Sequence, residues 1–106
     1  GDHRDLHSFP TRRSSDLELA VERNLKILHR VQEESGAKVL AALKAFSLWR
    51  LAPLVAKYLS GTCASGLHEA RLGREEYGGE VHVFSAAYTE RDLREILKLA
   101  DHVVFN

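Results

Sequence analysis

A chain of 106 residues has room for one small domain, and its 15 acidic and 15 basic side chains leave no net charge for gripping nucleic acid or an anionic membrane. One cysteine excludes an internal disulfide and makes a reducing, cytoplasmic setting the default. No apolar run approaches the length of a membrane span, while a hydrophobic content of 44% suffices to bury a core.

Residues 1–17, GDHRDLHSFPTRRSSDL, differ in composition from the rest of the chain. Basic, acidic and hydroxyl residues surround Pro10 with no helical or strand periodicity. His3-Arg4-Asp5-Leu6 has the look of a kinase catalytic loop, but that loop needs Asn where Pro10 stands, and no glycine-rich phosphate loop accompanies it. Arg12-Arg13-Ser14-Ser15 is diluted as a basic patch by Asp16. The segment is similar to the translation of a widely used short-read sequencing adapter. It is therefore set aside as non-native, as a tag would be, and is expected to lack order. The domain proper is taken as residues 18–106.

From Glu18 a helical pattern begins, with Val21, Leu25, Leu28 and Val31 as its apolar stripe and Ser35-Gly36 as its end. KVLAALKAFS, residues 38–47, is too short for a helix and reads as a buried strand. Leu40, Ala42 and Lys44 share one side of it; Val39, Ala41 and Leu43 share the other. Lys44 ends this strand. Partial desolvation there would favour the free amine, the form that attacks an aldehyde and makes a Schiff base. The plainer reading is that the amine snorkels to water.

Beyond Phe46, Pro53 predicts a helix starting near Ala52, with Leu51, Leu54, Val55, Tyr58 and Leu59 buried and Trp49 packed against the core. GTCASG, residues 61–66, reads as a strand running into a turn, with Ser65 positioned to cap the next helix. Cys63 with His68 as its base is a possible nucleophile, but a lone cysteine among small residues is more often simply buried. His68, Glu69 and His82 lack tight ligand spacing, so no metal is expected. EVHVFSA, residues 80–86, is a third strand with Val81 and Val83 on one face and a packed or hydrogen-bonded His82 on the other. Thr89-x-x-Asp92 opens a helix as a variant capping box, with Leu93, Ile96, Leu97 and Ala100 inward. HVVFN, residues 102–106, is a fourth strand.

Strands and helices alternating with short connections predict an α/β fold with a parallel sheet. A small open α/β interaction module would satisfy that pattern. So would part of a larger barrel.

KVLAALKAFSLW (residues 38–49), GTCASGLHEARLG (61–73) and EVHVFSAAYTERDLREILKLADHVVFN (80–106), in that order, resemble the N-terminal part of the carboxynorspermidine/carboxyspermidine decarboxylases. These are pyridoxal-phosphate enzymes of the alanine racemase-like barrel group, related to the ornithine and diaminopimelate decarboxylases. The resemblance implies that Lys44, in the ALKAF segment, carries pyridoxal 5'-phosphate. It also implies that residues 18–106 are the first βα units of a TIM-type (β/α)8 barrel, whose parent carries a C-terminal β domain and works as a homodimer. The implied reaction removes the α-carboxylate of a small polyamine-type substrate in spermidine or norspermidine biosynthesis. A racemase, an amino-acid decarboxylase or a non-catalytic pyridoxal-phosphate-binding protein of the same group is the nearest alternative. Family members commonly carry a second small hydroxyl residue where this chain has Gly66, so no cofactor contact is placed there. A partial barrel leaves two sheet edges unpaired and residues such as Leu40 and Ala42 facing nothing, so the chain alone is expected to be unstable and inactive.

Overall fold

Four parallel strands lie in the order in which the chain makes them, β1-β2-β3-β4. The structure, a computed structural model, describes residues 8–44 and 49–105. The elements run α1 (Ser8–Ser35), β1 (Leu40–Ala42), a 3-10 turn (Trp49–Leu51), α2 (Ala52–Tyr58), β2 (Gly61–Ala64), α3 (Leu67–Leu72), a single wide π-type turn (Gly73–Tyr77), β3 (Glu80–Phe84), α4 (Glu90–Leu99) and β4 (His102–Val104). The expected α/β alternation with a parallel sheet is observed.

Strand pairing sets Ala42 beside Cys63, Cys63 beside His82, and His82 beside His102. Alternation along each strand then gives the sheet two unlike faces. One is covered. Leu43 packs there with Leu25, Ala52, Val55 and Tyr77, while Ala64, Val81 and Val83 pack with Ala70 and Ile96 in a second cluster. Leu43 and Ile96 are almost wholly buried, a burial worth about 2 kcal/mol each. The other face carries Leu40, Ala42, Cys63, His82, Phe84, His102 and Val104. Among the described residues no helix covers it, and Phe84 and Val104 are 49% and 48% exposed. Doubly wound sheets reverse their strand order and carry helices on both faces. An unreversed order with one open face is the arrangement of a barrel arc.

Two glycines permit the close packing. A Cβ on Gly61 would lie 2.1 Å from the Glu80 carbonyl oxygen, and one on Gly73 would lie 2.5 Å from Thr62 Oγ1. Gly73 thus lets the π-type turn settle onto β2.

Several expectations are corrected. The first helix starts at Ser8 rather than near Glu18: once nucleated, a helix propagates at little cost, and Leu17 and Leu19, beside the expected start, are exposed. The disorder expected for residues 1–17 is not seen from residue 8 onward, which is helical, and residues 1–7 lie outside the described residues. Leu28 and Val31 are exposed, because α1 turns Leu25, His29 and Gln32 towards the rest of the chain. The first strand is three residues long, not ten. Leu43 and Lys44 form a turn after it, and the remainder of the expected strand, residues 45–47, lies outside the described residues. Trp49 is 59% exposed rather than packed. In α4 the inward position falls to Leu99, and Leu97 is 60% exposed. The fourth strand ends at Val104, and Asn106 is not described.

Ser65 does not cap α3. Its own backbone N–H instead donates to Glu69 Oε1 at 2.8 Å. Thr89 does cap α4, accepting from the Asp92 N–H at 3.1 Å. Pro53 sits in the first turn of α2, as expected.

Candidate functional site

Lys44 lies just past the C-terminal end of β1. Pairing persists beyond the last strand residue, since the Leu43 N–H donates to the Cys63 carbonyl at 3.0 Å, and this fixes the backbone immediately before the lysine. Leu43 is buried under the helices; Lys44, the next residue along, is exposed. The desolvation expected for it is therefore not seen in this chain, where the open face has no opposing wall. Among the described residues no carboxylate pairs with its amine.

Lower on the same face the polar groups are linked. Lys38 Nζ donates to Glu80 Oε2 at 2.5 Å, across β2, where Gly61 presents no side chain. His82 Nε2 meets the other oxygen, Glu80 Oε1, at 2.9 Å, and His102 Nε2 lies 3.8 Å from that same oxygen. The two imidazoles stack with centroids 4.4 Å apart and an interplanar angle of 26°. Hydrogen bonds from Lys38 and then His82 hold the Glu80 carboxyl below the usual glutamate range. His82 is thus hydrogen-bonded, as expected. Its proximity to His102 is set by strand register, which residue spacing alone does not express.

Cys63 and His68 form no catalytic pair: the thiol is half-buried on β2, His68 is exposed on α3, and no hydrogen bond joins them among the described residues. Gly66 has an extended backbone, φ −178°, and open space where a Cβ would stand, so the departure from the family's hydroxyl residue is not forced by packing.

Gln32 carries no signal in the sequence, yet it joins three elements. Its Oε1 accepts from the Val39 N–H at 2.8 Å, the Ser60 N–H at 3.1 Å and the Ser60 hydroxyl at 2.8 Å, while its Nε2 donates to the Tyr58 carbonyl at 2.9 Å. The Tyr58 hydroxyl donates to Glu22 Oε2 at 2.6 Å, which lowers the carboxyl pKa and raises that of the phenol.

No protein-family model matches the chain. It is 41% identical over 87 residues to a carboxynorspermidine/carboxyspermidine decarboxylase of Herminiimonas arsenicoxydans, a match covering 82% of this chain and 24% of that protein. A carboxyaminopropylagmatine decarboxylase of Synechocystis is 43% identical over 86 residues, covering 81% of this chain and 22% of the relative. Among solved structures, carboxynorspermidine decarboxylase from Campylobacter jejuni, complexed with norspermidine, superposes with a TM-score of 0.78 at 43% identity, covering 79% of this chain and 23% of that one. The resemblance read from the three segments is thus observed over about four fifths of the chain. The chain spans about a quarter of the length of the curated relatives it matches.

Proposed function

We propose that this chain is part of a pyridoxal-phosphate-dependent carboxy-lyase acting on a carboxylated polyamine, with Lys44 as the residue that carries the cofactor. The observation that carries the reading is the position of Lys44, just past the C-terminal end of the first strand, beside the sheet face that no described helix covers. In β/α barrels that end of the strands is where reacting groups gather. Further βα units closing on the open face would wall in the Lys44 amine. They would also pair the outer edges of β1 and β4.

The donor set fits the cofactor in part. Lys44 supplies the amine; among the described residues none supplies a glycine-rich phosphate cradle or an acid for the pyridine nitrogen. When bound, pyridoxal phosphate supplies the electron sink for the pair released as the carboxylate leaves. The work of this chain is to hold the amine at the end of β1, which the Leu43 N–H bond to Cys63 and the burial of Leu43 accomplish. Leu40 and Ala42, on the same side of β1, would line the interior beneath.

The names of the relatives leave three substrates for comparison: carboxynorspermidine, carboxyspermidine and carboxyaminopropylagmatine. All three share a carboxylate on a cationic amine chain. We assign residues 18–106 to the partial barrel, residues 1–17 to a non-native leader, and the parent to a cytoplasmic homodimer. Among the described residues no helix is long and apolar enough to cross a membrane. Carbon dioxide release by the complete protein from each of the three substrates is the test. Turnover of none of them, with turnover of a simple amino acid instead, would move the reading to another branch of the group.

A further inference from the structure

We propose that Glu80, His82 and His102 form a binding site for a divalent first-row transition metal ion. The three contribute one carboxylate oxygen and two imidazole nitrogens, all within 4.8 Å of one another. The site is independent of Lys44.

Strand register brings the donors together. His82 is paired directly with His102, and Glu80 precedes His82 by two residues, which returns its side chain to the same face. Zinc binds nitrogen and carboxylate oxygen tetrahedrally at about 2.0–2.2 Å, so its ligand atoms stand about 3.3–3.6 Å apart. The 2.9 Å and 3.8 Å separations from Glu80 Oε1 bracket that range. Turning His102, whose side chain is 56% exposed, out of its stack on His82 would bring its Nε2 to the shared ion.

The donors also select the metal. Two imidazoles with one carboxylate suit zinc, cobalt or ferrous iron, whereas magnesium and calcium prefer oxygen ligands throughout. Lys38 bonds Oε2 and so orients the carboxylate with Oε1 towards the imidazoles, the part an outer partner plays at metal sites. Remaining coordination positions would take water. Bound there, the ion ties the three-residue edge strand β4 to β3.

The same groups form ordinary hydrogen bonds and a ring stack without an ion, and the test must separate the two. Titration calorimetry with Zn2+, and visible absorption with Co2+, should show one ion bound per chain. His102→Ala removes an exposed side chain, so circular dichroism should be unchanged while affinity falls by at least about tenfold. Deletion of residues 1–17, which removes His3 and His7, should leave affinity unchanged. Equal affinity in His102→Ala, absence of binding by the folded chain, or loss of binding on deletion of residues 1–17 would each overturn the proposal.

Discussion

Asp101 and Val81 bond to each other twice. The Asp101 N–H donates to the Val81 carbonyl at 2.8 Å, and Asp101 Oδ2 accepts from the Val81 N–H at 2.9 Å. Arg74 donates to that same oxygen at 2.9 Å and to the Leu99 carbonyl, so the turn entering β4 is held against β3 by one carboxylate.

The Val81 N–H, with Arg74 second, holds the Asp101 carboxyl below the usual aspartate range. A group whose folded value is depressed contributes stability that is present above its unfolded value and is lost as pH falls through the folded one. Thermal melts should therefore show a decline on acidification below the ordinary aspartate range. Asp101→Asn should flatten that part of the profile and lower the melting temperature near neutrality. An unchanged acid limb would contradict the role given to this carboxylate.

Lys38 precedes β1 and Lys44 lies just past its C-terminal end, and the first is tied to Glu80. In the complete protein, borohydride reduction followed by peptide mapping should leave the cofactor on the peptide containing Lys44. Lys44→Arg keeps the charge but removes the nucleophilic amine, so activity should fall by several orders of magnitude, about a thousandfold or more, with loss of visible absorption. Lys38→Arg can keep the bond to Glu80 and should turn over nearly as the parent does. An adduct on Lys57 or Lys98 would refute the strand assignment and the family reading together.

The glycines of the β2 region should respond very differently to substitution. Gly61→Ala drives a methyl into the Glu80 backbone and should cost about 3 kcal/mol, read as a lower denaturant midpoint. Gly66→Ser enters open space at the start of α3 and should change stability by no more than about 0.5 kcal/mol.

Thr62 is 1% exposed, and its hydroxyl has no hydrogen-bond partner among the described residues. A buried, unpaired hydroxyl is costly, and valine has nearly the same shape. Thr62→Val should therefore raise stability by about 1 kcal/mol. Destabilisation would reveal a partner for Oγ1.

Much of the fold is legible in the residues. Pro53, the Thr89 cap and the alternation of Val81, Val83 and His82 each follow from local chemistry, and local chemistry decides them. What is not legible depends on neighbours distant in sequence. Leu28 and Val31 fit a helical stripe, but α1 is held by the polar Gln32, whose partners lie at Val39, Tyr58 and Ser60. Lys44 reads as a partly desolvated strand residue; it falls in the turn after β1, and among the described residues no wall faces the amine. His102 reads as a strand residue and no more until register sets it beside His82. Hydrophobic periodicity reports which side of an element is apolar and says nothing of what will stand opposite.

The unreversed strand order bears on how such a protein is made. Each of β2, β3 and β4 pairs with the strand synthesised just before it, so each meets a finished template on that side as it leaves the ribosome. β2 can settle on β1 before β3 exists, and the wait for a partner never exceeds the time to translate one helix and its turns. Parallel pairing is ordinarily slow because its contacts are distant in sequence. Here every partner is the next strand in sequence, which shortens the time a bare strand edge spends open to other chains.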